Sequence, residues 1–356
     1  MTKTIATLFS GGGGFDLGAI AAGYKPVFAI DNNADAVECY KRNIGDHIVL
    51  GDVRNFRFAS TGIKIDHLHA SPSCKSSSTA NANKGETDFD IDCAYSIVRA
   101  IQQVEPETFS LENVREYHKT KSFRIIVEAL IDNDYLGSWE TLNAADYGVP
   151  QSRKRLILMA SKIKKAEMPI ATHEQNLSDP CFEGFQTKQK WIGWYEAIAD
   201  LIPSLPETKL APWQVKAMGT LPEDFPLLVE NTGARSDRDL QTRRPDEPSW
   251  TVRAMGLDGH WHRANVLVTG NYSSFGSGKP SLINELVPCP TLTASQDKHP
   301  FRVISDCKVL AITPHCLARF QSFPDSYILP ERKAIAGMII GNAVPPLLAQ
   351  RIMEAF

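Results

Sequence analysis

Up to residue 165 the chain alternates short apolar runs with longer amphipathic ones: TIATLFS, GFDLGAIAAG, PVFAID, NADAVECYKRN, HIVLGD, IDHLHAS. Nothing else in the sequence restricts the fold as strongly. Strands that alternate with helical segments cannot be joined by tight hairpins, so they pair in parallel through helical crossovers. The expected class is α/β: a doubly wound, mostly parallel sheet wrapped by helices.

From residue 166 the texture changes to Pro-, Gly- and Trp-containing segments with short strand patterns, as far as about Ile312. A smaller, irregular β-containing domain inserted into the first is expected there, and 356 residues, 43% of them hydrophobic, suffice for two folded units. Within the insert, PSWTVRA at Pro248 to Ala254 echoes PCPTLTA at Pro288 to Ala294, each followed by another apolar run, RANVLV and FRVI. Two related strand-turn-strand units are expected. Helix returns at the end: Thr313 can cap, Pro314 suits a first turn, and CLARFQSF runs to Pro324, while Asn342 with Pro345 repeats that kind of start.

The opening MTKTIATLFSGGGG has one lysine before an apolar run too short for a signal-peptide core or a membrane span, and no later stretch reads as membrane length. A soluble, cytoplasmic protein without a membrane partner is expected. The seven cysteines (39, 74, 93, 181, 289, 307, 316) form no CxxC pair and no ligand spacing, which disfavours both a metal site and a disulfide framework. A net charge of -3 argues against a molecule coated in positive potential but permits a local basic cleft.

SGGGGFDLG, Ser10 to Gly18, follows a strand and opens a helix, which puts glycines where a ligand approaches backbone amides closely. A tight turn alone explains a Gly-rich run equally well. Asp31 and Asp52 weigh against that, because each ends a strand pattern, where one carboxylate can hold ribose hydroxyls and the other an adenine amine. Beyond the fourth strand pattern, SPSC brings Cys74 to the carboxyl edge of the sheet. A lone cysteine is more often buried and inert, but its neighbours are polar. Residues Lys75 to Asp90, rich in Ser, Thr, Asn and Gly, suit a mobile lid. LENV ends the next strand with Glu112 and Asn113, and six basic residues without an acid lie between Gln151 and Lys165. Arg153 and Arg155, at strand period, share one side, suited to phosphate or a base.

In this order the segments resemble the cytosine-5 DNA methyltransferases. FSGGGG is similar to that family's first cofactor motif, SPSC to its catalytic Pro-Pro-Cys-Gln, LENV to Glu-Asn-Val and QSRKR to Gln-x-Arg-x-Arg. ITPHCLARFQSFPDSY and GNAVPP resemble its ninth and tenth motifs. The resemblance implies S-adenosylmethionine, with S-adenosylhomocysteine as product and no metal. It implies cofactor contacts from Phe9, Ser10, Gly11, Gly13, Phe15, Asp31, Asn32, Asp52, Val53, Pro72, Asn342 and Ala343. Residues 1–165 and 325–356 would form the catalytic domain, and 166–324 the target-recognition domain and hinge, with Arg235, Arg238, Arg243, Arg244, Arg253 and Arg263 facing DNA. Ser73 and Lys75 depart from the usual proline and glutamine, and His315-Cys316 from the common Arg-Glu.

The implied chemistry begins with Cys74 adding to carbon-6 of a flipped cytosine, which turns carbon-5 into an enamine carbon. Glu112 would bond ring nitrogen 3 and the exocyclic amine, and Arg153 or Arg155 the base carbonyl or adjoining phosphate. The partners implied are double-stranded DNA, bound by a monomer, and a cognate restriction enzyme. An RNA cytosine methyltransferase is the main rival, disfavoured by the large insert and the missing Cys-Phe-Thr segment. A non-catalytic relative would be expected to lack Cys74 or Glu112, and a nicotinamide dehydrogenase leaves SPSC, ENV and QSRKR unexplained.

Overall fold

A computed structural model describes residues 2–58, 62, 64–72, 85–175, 188–209, 228–229, 242–243, 266–268, 282–284, 286–290, 302–305 and 308–356. Its centre is a seven-stranded sheet. In chain order its strands are β1 (Thr4–Leu8), β2 (Lys25–Asp31), β3 (Ile48–Leu50), β4 (His67–Ala70), β5 (Thr108–Val114), β6 (Leu136–Asn143) and, after the two-residue β7 (Gln151–Ser152), which lies outside this sheet, β8 (Lys154–Ser161). The order across the sheet is β3-β2-β1-β4-β5-β8-β6, all parallel except β8, which runs antiparallel to both neighbours.

Helices α1 (Gly14–Ala21), α2 (Ala34–Asn43), α3 (Asp88–Val104) and α4 (Lys121–Asp132) supply the crossovers. Asn33 caps α2 by accepting from the Ala36 amide, and Thr87 with Asp90 closes a capping box at α3. Each face of the sheet has its own core. Leu8, Leu68, Leu111 and Leu158 pack with Ile97 of α3 and Ile126 of α4 on one side. Ile5, Ile157 and Met159 pack with Phe15 of α1 and with Leu348 and Ile352 on the other. Strands buried on both faces explain the nearly continuous apolar runs.

After a five-residue helix α5 (Trp194–Ile198), three helices close the chain: α6 (Pro314–Phe320), α7 (Lys333–Asn342) and α8 (Pro346–Glu354). Trp194, Ile198, Leu317 and Phe320 share a further core with Ile339 and Ile340 of α7 and Cys39 of α2. Lys333–Glu354, contrary to the sequence reading, is apolar and long enough to cross a membrane. The helix is interrupted there, however, at Ala343 to Pro345, and both halves bury their apolar faces within the molecule.

Two helix boundaries differ from expectation. Thr313 does cap α6 with Pro314 in its first turn, but that helix ends at Phe320, before Pro324, where Ser322 takes a left-handed φ of 60°. Asn342 ends α7 rather than starting a helix, and Pro345 is the cap residue of α8. In the insert, Val266–Val268 and Arg302–Ser305, from the RANVLV and FRVI runs, pair antiparallel in a four-stranded sheet with Leu282–Asn284 and Lys308–Ala311. Cys289–Pro290 pairs instead with β7, and PSWTVRA lies outside the described residues.

Candidate active site

Strand order reverses between β1 and β4, so the segments leaving those strands diverge and open a crevice at the carboxyl edge. The glycine turn follows β1. Phe9, Gly11 and Gly13 all have left-handed φ, at 58°, 54° and 84°, and Phe9 is strained there by about 1 kcal/mol. Asp31 holds the turn: its Oδ2 accepts from the Gly11 amide at 2.8 Å and its Oδ1 from the Asn33 amide at 2.8 Å. Burial pushes the Asp31 carboxyl above its usual range, against the pull of those amides. Tyr327 donates to the Gly12 carbonyl at 2.6 Å and so ties the end of the ninth-motif segment to the same turn.

Two features of this turn fit a polar ligand. Ser10 Oγ is buried with no hydrogen-bond partner among the described residues, and a Cβ built on Gly11 meets nothing within 4 Å. An unmet hydroxyl and an open backbone at the start of α1 suit the amino-acid end of S-adenosylmethionine.

The remaining cofactor candidates lie around the turn in different ways. Gly51, just before Asp52, donates its amide to the Asp31 carbonyl at 2.9 Å, so the two acidic segments are joined. Asp52 pairs with Arg54, Nη2 to Oδ2 at 2.6 Å, and this hydrogen bond holds its carboxyl below the usual range. Asn32 and Asn342 are exposed, whereas Phe15 and Val53 turn their side chains into the cores. Ala343 abuts the turn, since a Cβ on Gly14 would meet Ala343 Cβ at 3.1 Å and the Val344 carbonyl at 2.4 Å.

At the other end of the crevice, Glu112 in β5 forms an ion pair with Arg155 in β8, Nε to Oε1 at 3.1 Å. The antiparallel pairing brings this about, because Val114 lies opposite Arg155 and Glu112 opposite Ile157. Arg153 is 2% exposed and donates to the Gly341 carbonyl at 3.2 Å, which joins the QSRKR segment to the end of α7. Asn113 donates to the carbonyl of Pro72 at 3.0 Å. Cys74, Ser73, Lys75 and the insert's arginine side chains lie outside the described residues. The far end of the expected lid is structured: Asp88 to Asp90 are the first turn of α3, and Glu86 accepts from the Lys121 and Ser122 amides at the start of α4.

Four other cysteines, Cys39, Cys93, Cys289 and Cys316, are free and buried. Burial raises every one of these thiols, Cys93 to about 12 and Cys289 well above the usual value. None of them is a usable thiolate near neutral pH.

The sequence matches the profile of C-5 cytosine-specific DNA methylase over residues 3–356. The chain belongs to that family. The methylase is 28% identical over 362 residues to Type II methyltransferase M.MthTI of Methanothermobacter thermautotrophicus, covering 99% of this chain and 97% of the relative. It is 28% identical to M1.HphI of Haemophilus parahaemolyticus, covering 100% of this chain and 87% of the other. The fold is similar to a DNA modification methyltransferase encoded within an E. coli prophage, at TM-score 0.59 and 19% identity, covering 99% and 98% of the two chains. It also resembles a Spodoptera frugiperda DNMT2 mutant, at TM-score 0.58 and 14% identity over 99% of each. The methylase is therefore a DNA (cytosine-5) methyltransferase, and the family implies S-adenosylmethionine as methyl donor and DNA as substrate.

Sequence reasoning missed Asp16. It is fully buried, and accepts from Thr7 Oγ1 at 3.0 Å and from Tyr40 OH at 2.8 Å. Desolvation pushes its carboxyl up to about 7. An acid in a first helical turn reads as a surface residue favoured by the helix dipole, and only the tertiary contacts distinguish it.

Proposed function

We propose that the methylase methylates carbon-5 of a flipped-out cytosine within a specific DNA sequence through a covalent adduct with Cys74. The observation that carries this reading is the Glu112–Arg155 pair, set in adjacent strands at the edge where Asn113 grips Pro72, two residues before Cys74. A thiolate adding to carbon-6 moves electron density toward carbon-5 and onto ring nitrogen 3, where Glu112 bonds the ring and the exocyclic amine. Arg155 keeps that carboxyl oriented, and Arg153, fixed on Gly341, braces the strand beneath the base carbonyl and adjoining phosphate.

S-adenosylmethionine, when bound, supplies an electrophilic methyl group on a sulfonium centre. Phe9, Ser10, Gly11 and Gly13 would hold its amino-acid end, Asp31 with Asn32 the ribose, Asp52 with Val53 the adenine, and Phe15, Pro72, Asn342 and Ala343 would close around it. S-adenosylhomocysteine is the product. Residues 1–165 with 325–356 would be the catalytic unit, and 166–324 the target-recognition unit and hinge, which the separate antiparallel sheet around Val266–Val268 supports. The designation of the relatives as Type II methyltransferases supports a cognate restriction enzyme that cuts the same sequence.

Bisulfite sequencing of DNA from cells expressing the methylase identifies the target. A duplex with 5-fluorocytosine at that position should then trap a denaturant-resistant complex, because fluorine blocks the final elimination. Trapping by Cys74→Ser would refute the assignment of the nucleophile, and methylation of tRNA in preference to duplex DNA would refute the substrate.

A further inference from the structure

Strand β4 carries two histidines, His67 and His69, in the middle of the sheet, at 0% and 2% exposure. They form an unbroken chain of hydrogen bonds along the β4–β5 boundary. His67 Nδ1 lies 2.7 Å from Thr108 Oγ1 and its Nε2 lies 2.9 Å from Ser110 Oγ. His69 Nδ1 lies 2.8 Å from the same Ser110 Oγ, and its Nε2 is 2.7 Å from Ser71 Oγ. Ser71 leads directly into Pro72 and is partly exposed.

The protons in this chain are not independent. Ser110 has one hydroxyl hydrogen for two imidazoles, so it donates to one ring and accepts from the other. If it donates to His67, then His69 carries its proton on Nδ1 and Ser71 must donate to His69 Nε2. If it donates to His69, then His69 Nε2–H donates to Ser71, whose own hydrogen faces outward. Both arrangements satisfy every group with neutral rings, and burial, which lowers both imidazoles, favours the neutral form near neutral pH. The first also lets Thr108 Oγ1 donate to the Asp66 carbonyl at 3.4 Å. The face of His69 lies flat on Phe15, with centroids 3.3 Å apart and planes inclined by 7°. One imidazole therefore touches both the helix that the glycine turn opens and the segment that leads to Pro72.

We propose that His69 is a positioning residue for methyl transfer, acting through Ser71 on the segment that enters the Cys74 loop and through Phe15 on the glycine turn. This rests on Cys74 being the nucleophile. Ser71 is the polar end of this chain: its hydroxyl direction is coupled to the His69 tautomer, which is coupled in turn to the hydroxyl of Ser110. A displacement of the nucleophile of the order of 1 Å costs about 100-fold in rate.

Wild-type protein is first shown to trap 5-fluorocytosine DNA, and Cys74→Ser not to trap it; failure here removes the underlying reading, whatever the histidines do. Single-turnover methyl transfer is then compared for wild type, Ser71→Ala, Ser71→Thr, His69→Leu and the double variant. Ser71→Ala should lower the transfer rate at least about tenfold with S-adenosylmethionine affinity within about twofold, and Ser71→Thr should restore most of the rate. His69→Leu should lower both rate and affinity, and the double variant should be no slower than His69→Leu alone. The inference is overturned if Ser71→Ala keeps its rate within about twofold of wild type, or if threonine does not restore the rate. Should His69→Leu fail to fold, the Ser71 pair still decides.

Discussion

Gly11 and Gly13 share a left-handed backbone but face opposite surroundings, so alanine at the two sites should have different effects. At Gly13 the added carbon would lie 2.1 Å from Ile44 Cδ1 and 2.8 Å from Tyr40 Cδ2, in a packed interior, with φ at 84°. Gly13→Ala should therefore destabilise the fold by about 2–4 kcal/mol, read as a lowered melting temperature. At Gly11 the added carbon meets nothing, and only the left-handed penalty of about 1–2 kcal/mol applies. Its cost should fall on binding: Gly11→Ala should weaken S-adenosylhomocysteine by about tenfold or more in calorimetry, because the methyl group occupies the space where the backbone meets the ligand. Unchanged affinity in Gly11→Ala would remove the glycine turn from the cofactor site. Glu112 presents a different balance. Its carboxylate and Arg155 are both largely buried, so Glu112→Gln leaves a guanidinium short of its partner. Methyl transfer should fall by about 100-fold or more, with DNA binding measured by gel shift retained, since the loss concerns charge developed during reaction.

Among the elements, the strand–helix alternation was legible because it is written locally, in apolar runs, caps and glycines. What lay beyond reach depends on pairing between distant segments. No local signal says that β8 enters between β5 and β6 in the antiparallel sense, yet that register is what brings Arg155 to Glu112. Nothing local in the HLH of β4 says that both histidines are buried, which they are with Thr108 and Ser110 of β5 satisfying the two rings. The Lys75 to Asp90 segment reads as a mobile lid rich in Ser, Thr, Asn and Gly, whereas Glu86 and the Thr87 cap fix its end to α4 and α3. Asn113 is legible as a motif residue, but its bond to Pro72 belongs to the fold. Asn113→Ala should loosen the entry to the Cys74 loop: the rate of adduct formation with 5-fluorocytosine DNA should fall about tenfold while S-adenosylhomocysteine affinity is kept. Equal losses in both would mean that Asn113 supports the whole edge rather than one segment.

For the whole molecule, the buried titratable groups set how stability responds to acid, and they pull in opposite directions. Burial holds Asp16 at about 7, above its unfolded value, so its contribution is fully present below about pH 4 and is lost as pH rises to 7. His67 is pushed down to about 3 and His69 well below its ordinary value, so their contributions are present above about pH 6.5 and are lost on acidification. Between about pH 6.5 and 4 the unfolded chain therefore binds two protons on the histidines that the fold refuses, and the fold keeps one on Asp16 that the unfolded chain releases. Among these three groups the histidines win by one proton, worth about 1.4 kcal/mol for each pH unit, while burial also lowers His47 and His173, which add to the fall, and raises Asp31, which opposes it. Unfolding by urea at a series of pH values should show stability falling below about pH 6.5. Asp16→Asn removes an opposing proton and should steepen the fall by about 1.4 kcal/mol for each pH unit, whereas His67→Leu removes one of the histidine protons and should make it shallower by the same amount. A wild-type stability that is level from pH 6.5 to 5, with Asp16→Asn equally level, would mean that the two imidazoles are not held neutral inside the sheet.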